Sequence, residues 1–211
     1  MNLPKAISSL VKWTDDEPSR FPLDCVRLKR ESNTVFAEAT DGRRMCRLTW
    51  LSEGSECEYK LPAKALGAAL RTAGVTKDGY FAVLNGSVSV LGKKPGPAVV
   101  PVAGRWPKSE DVLYPKDGQK WWPLPTRSLR DDARKALAEQ KGGLSKPALD
   151  LEISGATVKL DARYVRDMCE TAIQCGLDQV HATATDSQSA VHFSAECDVK
   201  FEAVIMPLAQ D

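Results

Sequence analysis

An α+β fold of two similar halves, each with two helices packed on antiparallel sheet, is what this sequence predicts. Three observations carry that expectation. A short amphipathic helix followed by a strand hairpin recurs four times along the 211 residues. The second and fourth units match in spacing: helix starts at Lys64 and Arg163 lie 99 residues apart, and turns at Asn85 and Asp186 lie 101 apart. Hydrophobic content of 43% is ample for a core, and helices laid on one face of antiparallel strands give an α+β architecture.

The first helix is expected over Pro4–Trp13, with Ile7, Leu10 and Val11 on one face. A hairpin from Cys25 to Ala39 follows, turning at Ser32-Asn33. The strand through Ala39 stops at the Asp41-Gly42 turn and continues with Arg43, Arg44 and Met45. The second helix, Pro62–Ala73, places Leu66, Ala69, Leu70 and Ala73 at helical spacing, with Pro62 in its first turn and Gly74 at its end. Its hairpin, Tyr80–Leu91, turns at Asn85-Gly86. The third helix, Thr126–Glu139, takes Thr126 as its cap, and Gly142-Gly143 ends it. The hairpin Leu149–Leu160 turns at Ser154-Gly155. Asp161 caps the fourth helix, whose apolar face is Val165, Met168, Cys169, Ala172 and Ile173, and Gly176 stops it. A hairpin Val180–Phe193 and a last strand Val199–Met206 complete the chain. The linker composition of Pro115–Pro125 puts the boundary between domains 1–117 and 118–211.

No apolar run approaches the roughly 18 residues a membrane span needs, and the start has no signal-peptide hydrophobic region, so a cytoplasmic protein without membrane partners is expected. None of the six cysteines forms a C-x-x-C pair, which favours reduced thiols over disulfides or a metal site, and no cofactor motif is present. Net charge is +1. The four helices nonetheless hold ten basic residues against six acidic ones. Lys5, Lys12, Lys64, Arg71, Arg127, Arg130, Arg134, Arg163 and Arg166 would form a shallow positive surface, suited to sequence-independent contact with a phosphate backbone. Ordinary solvated helix faces are the competing reading. Asp41 and Asp186 could be offered as the paired carboxylates of a hydrolase, but both sit at turns where Asp is expected for backbone reasons.

Apolar residues beside turns occur in three distant places: Ala39 to Met45, Arg105 to Pro115, and Ala203 to Leu208. Together they suggest one exposed pocket, without the chemistry of a catalyst. These segments resemble the bacterial DNA polymerase sliding clamp, the β subunit of the replicative polymerase, over its middle and last domains. Ala39 to Met45 is similar to the family's A-T-D-G-H-R-L stretch. Leu3-Pro4-Lys5, Leu61 to Lys64, Gly104 to Pro107 with Val112-Leu113 and Pro115, Leu160 to Val165, Thr185 to Val191, and Val204 to Leu208 resemble further family segments in order.

The resemblance implies a DNA-clamp fold and a non-enzymatic processivity factor. Such a protein encircles duplex DNA as a ring with helices inward, placed there by a clamp loader. It tethers DNA polymerase and other partners through a clamp-binding peptide. Lacking the family's first domain, this chain would need three copies to close a ring. A phage or plasmid clamp in a bacterial host would explain the short form. The implied groove uses Leu23, Thr40, Gly42, Arg44, Met45 and Pro107 with Val112, Val204, Met206, Pro207 and Leu208. For Val112, Val204 and Met206, core filling is the competing reading. The alternative function is a clamp-like adaptor or decoy that keeps the groove without encircling DNA.

Overall fold

Residue alternation with a period of two builds the strands, which outnumber the helices in residues. The computed structural model describes residues 1–17, 21–75, 79–84, 86–115, 118–140 and 147–209. The first half runs β1 (Asn2–Leu3), α1 (Ile7–Leu10), β2 (Cys25–Glu31), β3 (Thr34–Thr40), β4 (Arg44–Leu51), β5 (Cys57–Pro62), α2 (Ala63–Ala73), β6 (Gly79–Leu84) and β7 (Ser87–Leu91). A connecting segment carries the short helix α3 (Glu110–Leu113). The second half runs β8 (Trp122–Pro125), α4 (Thr126–Glu139), β9 (Ala148–Ile153), β10 (Ala156–Asp161), α5 (Ala162–Gln174), β11 (Gln179–Thr183), β12 (Val191–Glu196) and β13 (Lys200–Ile205).

Eight strands form one antiparallel sheet in the order β5-β2-β3-β4-β13-β12-β11-β8. Its centre is a seam between the halves, where β4 pairs with β13 from Lys200↔Thr49 to Ile205↔Arg44. A three-stranded sheet, β1-β6-β7, and the hairpin β9-β10 complete the strands. On β4, Cys46, Leu48 and Trp50 enter the main core, whereas Met45 joins a separate cluster on the opposite face. The main core runs under both halves. Trp13 crosses it to donate its Nε1–H to Thr171 Oγ1 at 3.1 Å, tying the first helical segment to α5.

The helices form where periodicity predicts them, with two corrections. The first helix is only Ile7–Leu10 and tightens into a 3-10 turn at Val11–Trp13. Thr126 does not cap α4. Pro125 holds the cap position, and the buried Thr126 hydroxyl has no hydrogen-bond partner among the described residues. Its N–H goes to Asp178 O instead, because β8 is tied to β11 just before the helix. Elsewhere the expected punctuation holds. Gly74 ends α2 in the left-handed conformation, at φ 59°, and the Asp161 side chain accepts from Arg163 N. β1, β4, β5, β8 and α3 go beyond the four predicted helix–hairpin units. Asn85 and Gly142-Gly143 lie outside the described residues.

Candidate functional site

The two half-chains meet where β4 follows the Asp41-Gly42 turn and β13 approaches its end. Met45 and Val204 stand opposite each other in register on the face away from the main core. Leu113 of α3 packs on both, with Ala190 beside them. The connecting segment therefore crosses the outer face of the seam and is anchored by one leucine. His192 of β12 reaches the carbonyl of Leu113 through Nδ1 at 3.3 Å. Burial lowers the His192 pKa, and the bond to Leu113 opposes that shift in part.

Around this buried patch, Val112 is 41% and Met206 47% exposed. Met206 N donates to Arg43 O at 2.9 Å, which keeps the end of β13 beside the turn. Leu208 N donates to Lys159 O, and Pro207 and Leu208 are half-buried. Gly42 is exposed at φ 83°, and a Cβ there would lie 3.9 Å from Leu23 Cδ1. Half-buried Leu23 thus stands next to the turn. Pro107 is half-buried on the connecting segment, beside the buried Trp106. The structure thus joins Met45, Val112, Val204 and Met206 around α3, and places Leu23 and Gly42 at the Arg43 turn.

Two residues of the expected groove have other work. Thr40 is buried; its hydroxyl donates to Arg44 O at 2.7 Å and accepts from Gly42 N at 3.1 Å, closing the turn. Arg44 does not line the outer face. Alternation along β4 sends it to the helix side, where it is 7% exposed. Its guanidinium donates to Asp41 Oδ2 at 3.0 Å, to Asp167 Oδ2 of α5 at 2.9 Å, and to Lys12 O. It lies 4.2 Å from the Tyr164 ring centroid and 5.0 Å from that of Trp13. Arg44 is therefore a buried tie across the seam. The Asp41 carboxylate is engaged by Arg43 N, Arg44 N and Arg44 Nε, the turn role expected of it.

Arg47, two residues after Met45, was absent from the expected site. It lies on the same strand face and holds the connecting segment. It donates to Glu38 Oε1 at 2.6 Å, Ser109 Oγ at 2.9 Å, Glu110 Oε1 at 3.0 Å and the Tyr114 hydroxyl at 3.2 Å. Burial is the largest single influence and works against its charge, but Glu38, Tyr114 and Glu110 together outweigh it and the pKa is raised. Period-two counting from Met45 could have found it.

The helical cations fall into two groups. Lys5, Lys12 and Arg71 rim a cleft between α1 and α2, and Lys12 also borders Arg134 and Arg166. Many are paired: Lys12 and Arg134 both hold Glu170, Arg127 holds Asp178, Arg130 holds Asp131, Arg163 holds Asp161 and Arg166 holds Asp167. Burial pushes Glu170 upward, yet the bonds from Lys12 and Arg134 hold it below the usual carboxylate range. Lys5, Lys64 and Arg71 form no ion pair among the described residues. No group of three or more possible metal ligands occurs among the described residues. No helix among them is long and apolar enough to cross a membrane.

No protein-family profile matches the chain, and no curated protein matches it in sequence. Solved structures do match its fold over nearly all its length. The DNA polymerase III subunit β of Pseudomonas aeruginosa superposes with a TM-score of 0.75 at 16% identity, covering 99% of this chain and 66% of the other. The Bacillus subtilis DNA polymerase sliding clamp gives 0.79 at 13% identity, covering 100% and 64%. The Helicobacter pylori β clamp bound to a DNA ligase peptide gives 0.78 at 12% identity, covering 99% and 65%. The chain spans a little under two thirds of the length of these structures. Its fold is that of the bacterial sliding clamps.

Proposed function

We propose that this chain is a non-enzymatic docking scaffold of the sliding-clamp type, which holds DNA polymerase or other replication and repair proteins by a short extended peptide. The single observation carrying this reading is the seam. A buried apolar floor of Met45, Val204 and Leu113 is flanked by exposed Val112 and Met206, beside an open glycine turn. Such a surface accepts Leu or Phe anchors from an extended partner. Arg44 ties the frame around it from below and Arg47 from above. The H. pylori clamp, of the same fold, is bound to a DNA ligase peptide.

Contact with duplex DNA belongs to the helix side in this reading. Lys5, Lys64 and Arg71 supply the cations there, since no ion pair among the described residues neutralises them. The domain limits at 117 and 118, a clamp loader and a cytoplasmic site of action belong to the same reading. Of the two ways a clamp-like scaffold could work, the ring-independent adaptor is favoured by the shortened strand plan of the second half, where β9 turns directly into β10.

The test is binding of a fluorescein-labelled DNA ligase peptide, followed by anisotropy. Met206→Asp should weaken it at least about tenfold, roughly 1.4 kcal/mol. The unfolding transition should be nearly unchanged, since Met206 is half in solvent. Unchanged affinity would count against the seam as the docking site.

A further inference from the structure

The two halves repeat one plan, and comparing them strand by strand locates a loss. In the first half β2 pairs with β5 from Cys25↔Pro62 onward, and Ala63 N, at the start of α2, donates to Asp24 O. In the second half β9 pairs with β10 from Ala148↔Asp161, and Ala162 N, at the start of α5, donates to Pro147 O. β9 and β10 are thus the counterparts of β2 and β5. Between β2 and β5 the chain makes the β3-β4 hairpin. Between β9 and β10 it has only the Ser154-Gly155 turn, with Ser154 at φ 56° and Gly155 at φ 81°. Among the described residues the second half has no counterpart of β4.

The other side of the seam is altered as well. β6 and β7 correspond to β11 and β12, so the counterpart of β13 should follow β7. That position is taken by the segment 95–99, bridged to β7 at Leu91↔Pro95 and Val88↔Val99. Its sequence is Pro95-Gly96-Pro97-Ala98-Val99, with Pro101 just beyond. Prolines carry no N–H, so they remove ladder donors on an edge. Gly96 N and Val99 N are spent inward on Val90 O and Val88 O. β13, by contrast, offers β4 a regular ladder of six registered pairs.

A head-to-tail ring made by repeating the seam would need a β4 counterpart on the second half of one copy and a β13 counterpart on the first half of the next. The first is missing and the second is proline-blocked. β9, left as the edge, carries exposed Asp150 and Glu152, the kind of charge that discourages strand addition. We infer that copies of this chain do not join by the strand pairing that holds its own halves together, so that it works as a single unit and meets duplex DNA by reversible surface contact, not by enclosure. This rests on the clamp-like reading in taking the seam as the contact that a ring would repeat.

Sedimentation equilibrium of the whole chain over roughly 1–100 μM tests it, since a ring would assemble by mass action in that range. The same samples are titrated with the labelled DNA ligase peptide. A monomer throughout that binds the peptide supports both readings. A monomer that does not bind it supports the absence of a ring and removes the docking function. A trimer, or any larger closed assembly, overturns the inference whether or not the peptide binds.

Discussion

Arg44 shows how one position is decided by alternation on a strand. Its neighbours Arg43 and Met45 face other surroundings: Arg43 is exposed, and Met45 joins the outer cluster. Arg44 alone turns toward α5, between Tyr164 and Trp13, with Asp41 and Asp167 as ion partners. A buried cation in such a cage is costly to desolvate and costlier to orphan. Removing Arg44 would leave Asp41 without an ion pair among the described residues and Asp167 with Arg166 alone. Arg44→Met should therefore lower stability by about 3 kcal/mol in urea denaturation, with an unchanged m-value. A loss below about 1 kcal/mol would mean that solvent already screens the pair. The sequence placed an arginine beside an Asp-Gly turn. It could not say that Asp167, from a helix 123 residues away, would complete the cage.

Among the elements, α3 is one of the shortest and the most consequential. Four residues long, it has no intrinsic stability as a helix, and it stays in place through Leu113, Arg47 and His192. His192 makes that docking sensitive to pH. Its folded-state pKa lies below the ordinary value of 6.5, because burial disfavours the charged ring. The unfolded chain then binds the proton more readily than the folded one. The contribution is full above pH 6.5 and is lost as pH falls through 6.5 toward the lowered folded value. An NMR titration of the ring should give a midpoint below 6.5. Thermal unfolding should lose stability as pH falls below 6.5, and His192→Gln should shrink that loss. A midpoint at or above 6.5 would show that α3 is not seated on a buried ring. Periodicity found α2, α4 and α5 because each buries an apolar stripe of its own. It missed α3, β1 and β8, which are too short to repeat a pattern, and β5, where the burial alternation is weak.

For the molecule as a unit, the distribution of charge decides what the helix side can hold. Most helical cations are paired with nearby acids. Those without ion pairs among the described residues are Lys5, Lys64 and Arg71, all in the first half. Reversing those three to Glu should weaken binding to a short duplex and lower the slope of log K against log salt by about 3, at roughly 0.9 for each phosphate no longer neutralised. Peptide affinity should stay the same. Reversing Arg127, Arg130 and Arg134 should do less, since each already serves an acid. An equal effect of the two triple variants would mean that ion pairing does not hold those arginines back from DNA.

Reading residues in order was sufficient for the α+β class, the positions of three helices, the tight turns at Ser32 and Ser154, and the three segments that converge on the seam. Those features depend on spacing and local backbone preference, which are properties of neighbours along the chain. The partners across the seam were not legible: Arg44 with Asp167, Leu113 with Met45 and Val204, and β4 with β13. Each joins residues far apart in the chain, and a register between distant strands leaves no periodic mark on either. The shortened β9-β10 turn was written in the sequence as Ser154-Gly155, but its meaning came from folding. Only when β9 is set beside β2 does the missing hairpin become a missing edge.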